Sequence, residues 1–325
     1  MLGKLLFGIT PREWTDYLDE AVAQSQLAES MGFHSVWIEE HHLNRDYLPS
    51  PLIALTALSQ HLKSMHIGTN IAILPLYHPL RFAEDIATLS QSCRGRVIVG
   101  VGAGYRQIDF ENFGIRLEER SVRMDEALQI LRRLWSGEAV NFDGTHFHLK
   151  DAILQPSLQA DKTPEVWVGG LRRPAIRRAA ELGDKWFPGP VADMDVVRNC
   201  LKIYRTELTR LNKKFKGFPI MRDIYLSGKH DVALNESRDA FLHMYQDYSK
   251  SGHPLVGGEE KSFEEWAADR FIIGNEDDAI DAVQSYQKLG ANYVVLRVSI
   301  RGLKHEQIMN TIRIYGEKVM PHFED

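Results

Sequence analysis

Cysteine is nearly missing from this chain: Cys93 and Cys200 are the only two among 325 residues. Two thiols build neither a disulfide framework nor a zinc quartet, and the default expectation is a reducing, cytoplasmic setting. No apolar run approaches the ~18 residues of a membrane span. The opening MLGKLLFGIT is too short for a secretory signal and reads as a first strand. Charge of one sign is not in excess: 39 Lys and Arg against 44 Asp and Glu leave a net charge of −5. That balance argues against a nucleic acid or an anionic membrane as partner. Linkers, repeats and low-complexity tracts are lacking too, so residues 1–325 are read as one domain.

What is present is alternation. Short apolar runs predict strands at Leu5–Ile9, Ser35–Ile38, Ile67–Leu74, Arg96–Val101, Glu165–Val168, Lys185–Phe187, Ile220–Ser227 and Tyr293–Arg297. Helical spacing predicts helices at Glu13–Met31, Pro51–His61, Pro79–Ser92, Ser121–Trp135, Arg173–Leu182, Asp195–Lys213, Glu276–Leu289 and His305–Val319. RVIVGV is apolar on both faces, as a parallel strand covered by helices must be. Eight such units favour an α/β fold closed as a TIM-type (β/α)₈ barrel over an open sheet. Ala139–Leu149 carries Asp143-Gly144, a hairpin signal. Residues 230–270 break the rhythm and read as an inserted helical excursion, a lid within the domain.

A barrel places its chemistry in the loops at the carboxyl ends of the strands. The second strand ends in Glu39-Glu40-His41-His42, where histidine suits proton transfer near neutrality. Neighbours on a strand face opposite ways, so at most one histidine faces the pocket, and a hydrogen-bonded loop pair remains the alternative. The fourth strand ends in Gly100-Val101-Gly102-Ala103-Gly104-Tyr105, bare backbone that admits a planar ring or a phosphate, or simply a tight turn. The fifth runs into Gly169-Gly170-Leu171-Arg172-Arg173 before Pro174 opens a helix, which suits an anion, although the arginines read equally as solvated charges. Trp186, before Phe187, walls a ring pocket or packs the core. His146 and His148 read as surface histidines rather than metal ligands, and no metal site is expected.

Together the segments SVWIEEHH, IGTNIAILPLYHPLRFAEDIATLSQSCRGRVIVGVGAGY, FENFGI, VWVGG and AAELGDKWFPG resemble the luciferase-like flavin monooxygenase superfamily, in order and spacing over some 150 residues. The resemblance implies a catalytic histidine beside the flavin at His41, and a non-prolyl cis peptide at Asn70-Ile71 beneath the ring. It implies a flavin-facing loop at Gly102–Tyr105 and a phosphate turn at Gly169–Arg173. Gly102 stands where bacterial luciferase has a reactive cysteine, which argues against luminescence.

The implied activity is that of an FMN-dependent monooxygenase. Reduced FMN would come from a separate NAD(P)H:flavin reductase, molecular oxygen would be the co-substrate, and a small organic molecule would be oxidised by a homodimer. A deazaflavin-dependent hydride-transfer enzyme on the same fold, a metal-dependent barrel hydrolase and a flavin-binding protein without turnover are the rivals.

Overall fold

The computed structural model describes residues 5–11, 18–44, 47–253, 255–256 and 262–323. Its strands are β1 (Leu6–Thr10), β2 (Ser35–Ile38), β3 (His66–Ile73), β4 (Val97–Gly102), β5 (Val140–Asp143), β6 (His148–Ala152), β7 (Glu165–Gly169), β8 (Lys185–Phe187), β9 (Phe218–Leu226), β10 (Phe271–Gly274) and β11 (Ala291–Arg297). The helices are α1 (Leu18–Ser30), α2 (Pro51–Ser59), α3 (Pro79–Ser92), α4 (Gln107–Asn112), α5 (Arg120–Trp135), α6 (Arg173–Leu182), α7 (Met194–Arg210), α8 (His230–Lys250), α9 (Phe263–Arg270), α10 (Glu276–Leu289) and α11 (His305–Ile314).

Nine strands form one parallel sheet in the order β10-β9-β11-β1-β2-β3-β4-β7-β8, and β5 and β6 pair apart as the expected hairpin. β8 lies against β9, so the sheet curls round on itself as a cylinder. Two apolar clusters follow. The larger fills the space between strands and helices. The smaller lies within the curled sheet and gathers Trp37, Ile98, Trp167, Phe187, Met221, Tyr293 and Val295. Its members recur every second residue, as in β11, where Tyr293 and Val295 are inward, and that phase fixes which neighbours also face the axis.

All eight expected strands occur, with boundaries moved by a residue or two. The structure adds β10, four residues that pair with Asp223–Leu226 of β9 and that lie between the expected excursion and the expected helix from Glu276, where no strand is expected. It also adds the short α4. The first helix was expected from Glu13, but residues 12–17 lie outside the described set. Local signals explain several boundaries. Pro79 and Pro51 open α3 and α2, where a missing N–H costs nothing. α10 starts with a capping box between Asn275 and Asp278 and stops at Gly290, whose φ of 96° suits glycine. The excursion is mainly α8 and α9, and α8 packs on β9 and β10.

Candidate active site

The alternation that turns Trp37 inward continues past the end of β2. Glu39 and His41 stay on the axial side, with His41 Nε2 3.4 Å from Glu39 Oε2 and its side chain 22% exposed. Glu40 and His42 turn the other way. Glu40 accepts from Ile73 N at 3.0 Å and Tyr77 Oη at 2.9 Å, and it meets His42 Nε2 at 2.8 Å. Arg106 then donates to the His42 carbonyl at 2.8 Å and to Asp109 at 3.0 Å. One half of the EEHH motif therefore clamps the loops, and the other half faces the mouth.

Across the mouth, Arg297 follows Tyr293 and Val295 on the inward face of β11. Its Nε donates to Asp223 Oδ1 of β9 at 2.6 Å, and its Nη1 donates to Glu39 Oε1 at 3.2 Å and to the Tyr248 hydroxyl. Tyr245 Oη donates to the other Asp223 oxygen at 3.1 Å, which pins α8 to the barrel rim. Burial pushes the Glu39 carboxyl up, but the Arg297 guanidinium and the bond from His41 outweigh it and hold it below the usual range. Burial likewise disfavours the Arg297 cation, yet Asp223 and Glu39 hold it well above its ordinary value. The pairing is needed because lone charges do not persist in such a place. Arg297 Nη2 nevertheless has no hydrogen-bond partner, although the residue is 3% exposed.

The opposite rim is bare. The Asn70–Ile71 peptide is cis, and the β3–β4 register shifts between Thr69 and Ala72. That irregularity turns the Ile71 side chain toward Gly102 and Gly169, and any Cβ on Gly102 would collide with it. Ala103, Gly104 and Tyr105 continue the rim half-buried, and the Tyr105 ring meets His253 edge-on at 5.1 Å. A flat ring system fits this setting: one side chain as a floor and glycine backbone beside it.

At the β7–α6 turn, Gly170 has φ 138°, a conformation that strains any other residue, and its carbonyl accepts from Trp186 Nε1 at 2.7 Å. Trp186 itself is fully buried on the helix side and stacks on Phe218 at 5.6 Å. It lines no ring pocket; Phe187 is the member of the pair that faces the axis. The Leu171 carbonyl accepts from Cys200 behind the turn at 3.2 Å. Arg172 and Arg173 are exposed, and Arg173 lies 3.9 Å from Glu207. Pro174 has no N–H, and Ala175 N and Ile176 N already donate to the Arg172 carbonyl at 2.9 and 3.1 Å, so what the turn offers an anion is chiefly the exposed Arg172 and Arg173 guanidiniums.

Other histidines lie apart from this group. His146 sits 3.5 Å from Glu119 and His148 2.7 Å from Asp143, on the hairpin side. Sequence reading missed Arg297 and Asp223. The signal was present: two adjacent charges inside IMRDIYL and one at the end of VVLR interrupt strands that are otherwise apolar.

A model of the luciferase-like monooxygenase family matches residues 5–293. The chain belongs to that family. Among its relatives, the 5,10-methylenetetrahydromethanopterin reductase of Archaeoglobus fulgidus is 33% identical over 91% of this chain and 93% of its own length. An F420-dependent glucose-6-phosphate dehydrogenase of Microbacterium testaceum is 28% identical, covering 91% and 90%. The oxygenase component of a flavin-dependent trigonelline monooxygenase of Acinetobacter baylyi is 22% identical, covering 94% and 90%. The solved structure of monooxygenase RslO1 from Streptomyces bottropensis superposes with a TM-score of 0.86 at 22% identity, over 98% of this chain and 100% of that one. Luciferase-like proteins thus include monooxygenases and F420-dependent oxidoreductases. Among the described residues, no helix is long and apolar enough to cross a membrane.

Proposed function

We propose that this luciferase-like protein is the oxygenase component of a two-component monooxygenase that works with FMN. The observation that carries the reading is the opposition of two half-sites across one mouth: a histidine–carboxylate pair, His41 and Glu39, and a glycine rim flanking Ile71. FMN delivered reduced by a separate NAD(P)H:flavin reductase would supply the electrons and the oxygen chemistry.

The residues supply the rest. Ile71, with Asn70 at the cis bond, is the floor under the ring. Gly102, Ala103, Gly104, Tyr105, Gly169 and Gly170 let it approach the backbone. Leu171, Arg172, Arg173 and the start of α6 receive the phosphate. His41 Nε2 takes or gives a proton at the reacting face, and Glu39 holds the ring in place. Tyr248, in the last turn of α8, and His253, just after it, roof the mouth and keep water out, which makes this part of the excursion a lid. A homodimer is part of the same reading, carried by the family.

A second reading is favoured by the 28% identity to an F420-dependent dehydrogenase: the same mouth would take a deazaflavin and pass hydride. The test is to supply FMN with a generic flavin reductase and screen small organic compounds for consumption. The proposal expects consumption that requires oxygen. Consumption that proceeds with F420 in the absence of oxygen, and never with FMN, would replace it with the second reading.

A further inference from the structure

Arg297 is a buried cation with one face used and one face idle. Nε and Nη1 are taken by Asp223, Glu39 and the Tyr248 hydroxyl, whereas Nη2 is buried and unpartnered on the inward side of β11. A charged donor left without an acceptor in such a place is costly, and nearly all buried polar groups find one. A ligand oxygen that displaces the side chains now covering Nη2 would satisfy that donor.

The chemistry of that atom follows from what surrounds it. Two carboxylates, Glu39 and Asp223, already outnumber the guanidinium, so an incoming anion would meet excess negative charge. An uncharged acceptor oxygen meets no such penalty. Nearby, His253 Nδ1 accepts from Leu255 N at 3.3 Å, which leaves the imidazole proton on Nε2 as a second donor. The neighbouring surfaces are flat. Tyr248 and His253 lie 5.6 Å apart, Tyr105 meets His253 edge-on, and the Arg297 guanidinium stands 5.5 Å over the Tyr248 ring.

We propose that Arg297 is a specificity-determining residue whose Nη2 donates to the carbonyl oxygen of an uncharged planar substrate, an aryl aldehyde or ketone, held against Tyr248, His253 and Tyr105. This rests on the mouth being the substrate site. It does not depend on which flavin binds there.

The test uses three probes of one shape: acetophenone, α-methylstyrene, which lacks the oxygen, and benzoate, which carries a charge. Binding is followed by ligand-observed NMR on the full chain, without cofactor and with saturating FMN. Wild type should bind acetophenone roughly tenfold or more tighter than either other probe, in both conditions. Arg297→Lys, folded by circular dichroism, should lose that preference to within about twofold, since it keeps the charge but not the second fork. Should the lysine variant fail to fold, the three wild-type affinities decide alone. Equal binding of acetophenone and α-methylstyrene would overturn the proposal, as would tighter binding of benzoate. A preference that vanishes when FMN is added would also overturn it, by handing Nη2 to the flavin. If FMN does not bind at all, the cofactor reading fails while the cofactor-free affinities still decide this one.

Discussion

The two ends of the cylinder share one inward alternation and end up with opposite characters. At the amino end, His34 and His66 stack at 4.3 Å, and His34 Nδ1 meets Tyr293 Oη at 2.6 Å. Trp37 Nε1 donates to Ser35 at 2.6 Å, and Lys185 sits over the Trp167 ring while reaching Glu165 at 3.3 Å. Large rings, mostly tied to a neighbour, make a plug. At the carboxyl end β4 and β7 present Gly102 and Gly169, and the paired charges of the mouth come from the end of β2 and from β9 and β11. What separates floor from mouth is side-chain volume on β4 and β7, not a change of strand pattern. A closed end gives stability, and an open end with paired ions gives a site.

That contrast can be broken at either end. Arg297→Met should destabilise the fold by roughly 3–5 kcal/mol, because it leaves the buried carboxylates of Asp223 and Glu39 without their shared guanidinium. The shift of the urea midpoint measures it. His41→Ala should lower turnover about 10²–10³-fold while moving the midpoint by less than about 1 kcal/mol, the signature of a residue that acts rather than packs. A loss of stability equal to that at Arg297 would place His41 in the scaffold.

Gly68→Ala tests the interior below the mouth. A Cβ there would collide with the Trp37 indole, so a cost of about 1–3 kcal/mol is expected with FMN affinity unchanged. Weakened FMN binding at unchanged stability would reverse the assignment of ends.

An effect of similar size, confined to acid pH, is expected at His34. Burial first, then His66 and Lys185, depress His34 to about 4 from 6.5. Because the unfolded state binds the proton more readily, stability is complete above pH 6.5 and declines as pH falls toward about 4. His34→Gln should flatten that part of the profile by roughly 2 kcal/mol. An unchanged slope would remove His34 from the account.

The fold was legible because each buried parallel strand is a continuous apolar run; the glycines ending the fourth and fifth strands stood out as well, but that Ile71 closes on Gly102 and Ala175 on Gly170 did not. Trp186 was not legible, since a strand of three residues does not declare its phase, and the structure puts Phe187 inside instead. Arg297 and Asp223, the partners of Glu39, were hidden for another reason. They are brought together only when β11 and β9 close beside β2, from positions up to 258 residues apart. No local pattern carries that meeting, although each charge stood out against its apolar strand. The four residues of β10 were lost because they directly follow α9 and run straight into the cap of α10, with no loop to set them apart as a strand.

The central claim, that FMN occupies the bare rim above Ile71, is tested most directly by anaerobic titration of reduced FMN into wild type and Gly102→Leu, with F420 as the competing cofactor. The account predicts saturable FMN binding to wild type, weaker binding of F420, and loss of FMN binding in a leucine variant that remains folded. Tighter binding of F420 than of FMN, or an unchanged FMN affinity in the variant, would contradict it.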